Sequence, residues 1–440
     1  MSDKLPTESG SVPARHVAAV VVGNALEFYD FLTYAFFAVY IGRAFFPSTS
    51  PTSSLLASLA TFGVGFVTRP IGGLVIGRMG DRLGRKPAML LSFSLMGIAI
   101  LGLALTPPHS KIGIAAPILV IIFRMLQGFA LGGEVGPTTA FLLEAAPPSR
   151  RGFYASFQGW TQDVSILLSG LVGFGLASVL TEQQLQDFGW RIAFLVGATI
   201  VPFGLMVRRS LPETFHAAEA EKSERVPLRP YLSVAVLGLF VLASGTIGTY
   251  VRTYMTTYAI ATLHMPANIA FAATIVVGVS GVAVCLLAGA LSDRIGRKPV
   301  MFVFAALSLL SILPAFRLIA HYRSTAVFLI CVAVLSILGE IWTSPIVTWL
   351  AESLPAPIRS SGLSVVYAVA IATFGGTTQY AVTWLTKLTG NALAPAYYWM
   401  VAAIMGLAAV ALARESAPHR MVAQTRPATQ IAEESSGAAS

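Results

Sequence analysis

Several charged residues stand inside long apolar stretches of the chain, where burying a charge is costly. Glu27 and Asp30 are three residues apart, so they share one face of a helix. Arg69, Arg124 and Arg252 lie in other apolar stretches. A desolvated carboxyl group favours its neutral form, which lets it take up and release a proton. A guanidinium presents a planar fork that fits a carboxylate. These residue types and positions therefore indicate proton exchange and the binding of an organic anion.

The composition of the whole chain is that of a membrane protein. Of its 440 residues, 55% are hydrophobic and 11% are charged, whereas soluble domains carry about 25% charged residues. The formal net charge of +9 does not indicate a nucleic-acid partner, because the basic residues lie in short turns between apolar runs. The first 16 residues lack the features of a secretory signal peptide, so we expect the first apolar run to be retained.

The apolar runs have the length that a membrane-spanning helix requires, about 20 residues. We number the predicted spans one to twelve, at residues 17–46, 54–76, 88–106, 115–144, 153–180, 190–208, 231–262, 268–289, 300–320, 324–352, 361–387 and 394–413. The pattern then divides the chain into a cytoplasmic N-terminal tail, a first six-helix half, a cytoplasmic linker, a second six-helix half and a disordered cytoplasmic tail. These parts are predicted at residues 1–16, 17–208, 209–230, 231–413 and 414–440.

A charged turn is repeated between the second and third spans of each half. Residues 77–87 read GRMGDRLGRKP, and residues 289–299 read GALSDRIGRKP. A duplicated half of this kind is typical of a secondary transporter built from two bundles. Most of the 29 Lys and Arg residues lie on the same side of the predicted spans as the N-terminus, which predicts that both termini face the cytoplasm.

The repeated turns are interpreted as gating structure. Asp81 and Asp293 can each cap a helix N-terminus, and Arg85 and Arg297 can pair with Glu144 or Glu352 at the inner ends of spans four and ten. Such links would hold the cytoplasmic side closed and break when it opens. The predicted gating residues are Asp81, Arg82, Arg85, Glu144, Asp293, Arg294, Arg297 and Glu352.

Further polar side chains inside the spans complete the candidate sites. They could line a polar cavity, or they could form structural ion pairs and hydrogen bonds between helices. The predicted proton-coupling residues are Glu27, Asp30, Glu134, Asp163 and Glu340. The predicted substrate-binding residues are Arg69, Arg124, Gln158, Gln162, Arg191, Arg252, Tyr254, Tyr367 and Gln379.

The repeated turn resembles the signature of the major facilitator superfamily. Other stretches are similar to its metabolite:proton symporter family: GNALEFYDF at 23–31, RPIGG at 69–73, RMLQGF at 124–129, GWRI at 189–192 and RRSLPET at 208–214. The stretches GFYASFQ at 152–158, ATFGG at 372–376 and LTG at 388–390 are most like the bacterial citrate–proton symporters. Span seven departs from this likeness, because Arg252 stands where uncharged residues are expected.

The resemblance implies an all-α membrane protein of twelve transmembrane helices in two pseudo-symmetric bundles. It also implies proton-coupled import of a small organic anion by alternating access, with a di- or tricarboxylate such as citrate as the substrate. Three arginines within spans favour an anion over a neutral substrate. The alternatives are symport of α-ketoglutarate, shikimate or a zwitterionic osmolyte such as proline or betaine. A multidrug exporter or a transceptor is the alternative of another class.

An enzyme is not expected from this sequence. No nucleophile–base arrangement is evident, and none of the six His residues has a metal-ligand partner at a useful spacing. The glycine-rich turns lack the G-x-x-x-x-G-K-[ST] pattern of a nucleotide-binding loop. We therefore expect no cofactor and no metal, and a monomer in the bacterial cytoplasmic membrane whose partners are its substrate, protons and lipid.

Overall fold

Helices occupy all twelve predicted positions. The computed structural model describes residues 28–83, 85–132, 142, 146–210 and 229–417. The helices of the first half are 28–36 with Ala38–Phe45, Pro51–Val67 with Arg69–Leu83, Arg85–Leu105, Ala115–Leu131, Arg151–Ala155 with Phe157–Val179, and Trp190–Ser210. Those of the second half are Leu232–Ala261, Ala267–Ile295, Arg297–Tyr322, Thr325–Thr343 with Ile346–Glu352, Ala356–Ala370 with Gly376–Thr389, and Ala394–Leu412.

The helical form follows from the solvent. In lipid each backbone N–H and C=O must be satisfied within its own segment, which a helix achieves. Among the described residues, eight helices are long and apolar enough to cross a membrane. Shorter apolar helices at Leu90–Leu105 and Ala115–Leu131 fall in spans three and four. The predicted all-α architecture is confirmed.

The two halves meet where span five packs along span eight and span two packs against span eleven. Glycines allow the backbones to approach closely at these contacts. A Cβ atom on Gly278 of span eight would lie 2.5 Å from the backbone nitrogen of Leu167 in span five. A Cβ atom on Gly63 of span two would lie 2.6 Å from the carbonyl oxygen of Gly376 in span eleven. Both contacts therefore require glycine.

Asp293 of the second repeated turn joins the two halves at one end of the bundle. Its carboxylate accepts hydrogen bonds from the backbone N–H groups of Gly152 at 2.8 Å and Phe153 at 2.9 Å, at the start of span five. The sequence predicts that Asp293 caps a helix N-terminus, and the helix that it contacts belongs to the other half. Arg297 lies 2.7 Å from Asp293 and 3.1 Å from Glu352.

The beginning of the predicted C-terminal tail packs against this same cluster. The Glu415 carboxylate accepts hydrogen bonds from the backbone N–H groups of Arg297 at 2.9 Å and Lys298 at 3.1 Å. Ser416 Oγ donates to Glu352 at 2.9 Å. Residues 414–417 thus have fixed contacts, whereas the sequence predicts that the tail is disordered from residue 414 onward.

Candidate functional site

A cavity of about 130 Å³ lies between the two halves. Its wall is formed by residues of spans one, two and five from the first half and of spans seven, eight, ten and eleven from the second. Transporters built from two repeats bind their substrates at such an interface near the middle of the membrane. The cavity is therefore the candidate site, and each predicted residue can be placed relative to it.

Arg69 is a buried cation that lines this cavity. It begins the second helix of span two, immediately after the interruption at Thr68. Its guanidinium carbon lies 4.4 Å from the ring centre of Phe31 and 4.2 Å from that of Phe66. Among the described residues no carboxylate forms an ion pair with it, and its Nε and Nη2 atoms have no hydrogen-bond partner. Aromatic rings therefore hold a cation that keeps two unpartnered donor atoms within the described part of the chain.

Arg124 is fully buried and is not part of the cavity wall. It donates to Gln127 Oε1 at 2.6 Å and to the carbonyl oxygen of Phe62 at 3.3 Å. Its guanidinium carbon lies 4.4 Å from the ring centre of Phe31, the ring that Arg69 also contacts. Arg124 thus packs in the aromatic wall of the first half.

Arg252 pairs with a carboxylate of its own half. Both terminal nitrogens lie 3.3 Å from Glu340 Oε2, and they also donate to the Ser336 carbonyl oxygen and to Thr249 Oγ1, each at 3.0 Å. Glu340 lines the cavity and Arg252 does not. A Cβ atom on Gly339 would lie 3.0 Å from the guanidinium carbon, so glycine makes room for this pair.

Asp163 brings a second carboxylate to Glu340 from the other half of the protein. One carboxyl oxygen of Asp163, one of Glu340 and the sulfur of Cys285 all lie within 4.8 Å of one another. Asp163 is 6% exposed, and its Oδ2 atom has no hydrogen-bond partner among the described residues. Its carboxylate packs against Gly281, where a Cβ atom would collide with it. The guanidinium of Arg252 next to Glu340 disfavours a metal cation here, and we assign none.

Amide and hydroxyl groups supply further donors and acceptors to the cavity. Gln158 and Gln162, which are four residues apart on span five, both line it together with Tyr367 of span eleven. Gln158 is buried, and neither atom of its amide has a partner among the described residues. These groups can orient the hydroxyl and carboxyl groups of a polar substrate.

Besides Arg124 and Arg252, three more predicted binding residues lie away from the cavity wall. Gln379 donates to Thr253 Oγ1 at 3.3 Å, and Tyr254 accepts a hydrogen bond from Thr383 at 2.9 Å, so both connect spans seven and eleven. Arg191 donates to the carbonyl oxygens of Asp187 at 2.8 Å and Thr106 at 3.0 Å near one end of span six.

Asp30 is buried between spans one and six. It is 3% exposed, packs against Gly197, and does not line the cavity. Its Oδ1 atom has no partner among the described residues. Glu27, Glu134 and Glu144 lie outside the described residues, as do the side chains of Asp81, Arg82 and Arg85 in the first repeated turn. Arg294 of the second turn is exposed.

The sequence interpretation missed several polar residues in the cavity wall. Thr246, Thr249 and Thr253 of span seven lie on one face of the helix and all line the cavity. Their spacing of three and four residues is a signal that could have revealed this face. Cys285 also lines the cavity, and nothing in its local sequence distinguishes it from a packing residue.

Comparisons with known proteins identify the family of this chain. The family described as "Sugar (and other) transporter" matches residues 16–230 and 215–418. The chain is 36% identical to the citrate-proton symporter of Klebsiella pneumoniae over 412 residues, which cover 92% of this chain and 93% of that protein. It is 34% identical to the alpha-ketoglutarate permease of Escherichia coli (86% and 88% covered) and 31% identical to the proline/betaine transporter of Escherichia coli (95% and 86% covered).

Solved structures show the same fold. The D-xylose-proton symporter superimposes with a TM-score of 0.74 at 20% identity, covering 91% of this chain and 96% of that one. The proton:xylose symporter XylE of the major facilitator superfamily also gives a TM-score of 0.74, at 18% identity, covering 91% and 94%. The chain therefore belongs to the sugar (and other) transporter family of the major facilitator superfamily, as its repeated turn indicates, and is a multi-pass membrane transporter and not an enzyme.

Proposed function

We propose that this transporter imports a small organic anion, a di- or tricarboxylate such as citrate, together with protons. The observation that carries the proposal is Arg69, a buried cation in the cavity between the halves whose Nε and Nη2 atoms have no hydrogen-bond partner among the described residues. A buried, uncompensated charge is costly unless a ligand completes it. The likeness to citrate-proton symporters supports this substrate class, and the likeness to the alpha-ketoglutarate permease extends it to other carboxylates.

The polar residues of the cavity then have distinct roles. Arg69 binds a substrate carboxylate, while Gln158, Gln162 and Tyr367 contact its remaining oxygens. Arg124 supports the Phe31 ring from outside the cavity wall. Because Arg252 is already paired with Glu340, its role is to balance that carboxylate, in contrast to the substrate contact that the sequence predicts for it.

Access alternates by the rocking of one half against the other. With both termini in the cytoplasm, as the distribution of basic residues predicts, the Asp293–Arg297–Glu352 cluster lies at the cytoplasmic end. There it ties the start of span five to spans eight, nine and ten. Breaking these bonds would allow the two halves to separate at the cytoplasmic side. The proposed location of the transporter is the cytoplasmic membrane of a bacterium.

Gradient-driven uptake tests the proposal directly. In liposomes containing the purified protein, labelled citrate uptake should rise severalfold under an inwardly directed proton gradient and should collapse when a protonophore is added. The panel should include α-ketoglutarate, shikimate, proline and betaine. Undiminished uptake after full dissipation of the proton gradient, together with a sodium requirement, would reject proton coupling.

A zwitterionic osmolyte is the second candidate substrate. The observation that favours it is that one cavity holds a cation, Arg69, and a carboxylate, Asp163, neither of which forms an ion pair among the described residues. A substrate such as betaine could place its carboxylate on the first and its cation near the second. Transport of betaine or proline without transport of citrate or α-ketoglutarate would select this candidate.

The cytoplasmic cluster gives a prediction of its own. Replacing Arg297 by Gln leaves Asp293 and Glu352 without their shared cation, and removing one partner of a buried ion pair costs about 3–5 kcal/mol. We expect the cytoplasmic side to open more often, so that a thiol reagent reaches Cys285 in the cavity at least tenfold faster. The measurement is the rate of labelling in a Cys331→Ser background.

The comparison variant is Arg294→Gln, because Arg294 belongs to the same turn but is exposed. The labelling rate should stay close to that of the parent protein in this variant. Equal acceleration in both variants would mean that the overall charge of the turn controls opening, and the specific ion pairs would lose their assigned role.

A further inference from the structure

The cavity contains a small charged cluster that is assembled from both halves. Span five of the first half contributes Asp163, and the second half contributes Glu340, Cys285 and Arg252. Oxygen atoms of the two carboxyl groups approach within 4.8 Å, and Arg252 lies 3.3 Å from Glu340. Two carboxyl groups thus face one guanidinium in a buried site.

The balance of charge around this cluster requires a further positive charge. If both carboxyl groups are ionised, one negative charge remains beside the Arg252–Glu340 pair. Two carboxylates that share a site do not both ionise readily, and one of them keeps a proton. The other titratable groups facing Asp163 are the Cys285 thiol of span eight and, across the cavity, Tyr250, Tyr367 and Arg69. None of these supplies a cation paired with Asp163 among the described residues.

We propose that Asp163 and Glu340 share the transported proton, and that the approach of the two halves determines how tightly it is held. This inference rests on the proposed proton-coupled function. In the closed arrangement Asp163 is buried against Gly281 of span eight and near Glu340. When span five moves away from the second half, the distance between the carboxyl groups of Asp163 and Glu340 increases. Water then reaches Asp163, and its carboxyl group releases the proton.

The substrate strengthens the same coupling. An anion bound at Arg69 enters the cavity that Asp163 and Glu340 line, so it adds negative charge near the carboxyl pair and favours their protonated form. Linkage requires the converse, that protonation of the pair favours binding of the anion. Proton and anion would therefore be occluded together and released together, which is the requirement for symport.

Infrared absorption of the purified, substrate-free protein tests where the proton resides. The parent protein should show a protonated-carboxyl band at neutral pH, and both Asp163→Asn and Glu340→Gln should lose it. Asp187→Asn is the matched control, because Asp187 is exposed near one end of span six, and it should retain the band. Asp30→Asn tests the rival carboxyl group. A band that persists in both Asp163→Asn and Glu340→Gln and disappears in Asp30→Asn would overturn the inference.

Proton uptake on substrate binding separates this inference from the proposed function. Calorimetry with citrate in two buffers of different ionisation enthalpy counts the protons bound, at an alkaline pH at which the protonated-carboxyl band of the substrate-free parent has disappeared. Asp163→Asn should bind citrate, take up about one proton fewer than the parent, and exchange citrate without accumulating it. If the parent itself takes up no proton and shows no gradient-driven uptake, the proposed function fails. If the parent couples protons and both cavity variants couple them equally well, only the assignment to Asp163 and Glu340 fails.

Discussion

Replacing Arg69 by Gln is expected to weaken citrate binding by roughly 1.5–3 kcal/mol, the range for hydrogen bonds to charged groups, or about 10- to 150-fold in Kd. The guanidinium packs against the rings of Phe31 and Phe66. Arg69 lines the cavity, and its Nε and Nη2 atoms have no hydrogen-bond partner among the described residues. Gln retains an amide at this position but loses the charge and the fork. The measurement is calorimetric titration of the purified variant with citrate.

Arg69→Lys and Arg317→Gln make this experiment specific. Lys keeps the charge without the bidentate geometry, so it should recover only part of the lost affinity. Arg317 is exposed on span nine, and Arg317→Gln should bind citrate like the parent protein. Near-parental affinity in Arg69→Gln, with an unchanged melting temperature, would remove Arg69 from the substrate site.

The spans and their division into halves were predictable because lipid imposes a simple rule on the sequence. A helix must remain apolar over about 20 residues to cross the hydrocarbon layer, so each span is visible without knowledge of its neighbours. The repeated turns at residues 77–87 and 289–299 also reveal the duplication. The interruption between Val67 and Arg69 was not evident, because both sides of it are compatible with one continuous apolar run.

The roles of the three arginines could not be separated from the sequence. Each lies in an apolar span, and the local pattern does not show which neighbouring helix faces its side chain. Arg124 contacts Phe62 and Arg252 contacts Glu340, partners that are 62 and 88 residues away along the chain. Arg69 lacks such a partner among the described residues. Tertiary packing therefore distinguishes an arginine that has a partner in a distant helix from one that has none within the described residues.

The same limit applies to the carboxyl groups that the sequence predicts for proton coupling. Asp30 and Asp163 are both acidic residues within apolar spans, and the sequence assigns each to the same category. The structure places Asp30 against Gly197 away from the cavity, and Asp163 in the cavity wall close to Glu340 of the other half. Proximity between residues of two halves depends on how the bundles dock, and hydrophobic periodicity carries no information on docking.

Replacing Gly278 by Val is expected to reduce transport to the background level. A Cβ atom on Gly278 would lie 2.5, 2.6 and 2.7 Å from the backbone nitrogen, Cα and Cβ of Leu167, and none of these atoms can move without displacing span five. Overpacking of this kind costs about 1–3 kcal/mol or more, and here the cost falls on the closed contact between the halves.

Gly175→Val is the matched control on span five, because no atom lies within 4 Å of a Cβ atom there. Counterflow of labelled citrate in liposomes should be lost in the first variant and kept in the second, with both proteins remaining folded in thermal melts. Normal counterflow in Gly278→Val would show that spans five and eight need not approach this closely during transport, and the assembly of the Asp163–Glu340 pair by closure would then lose its structural basis.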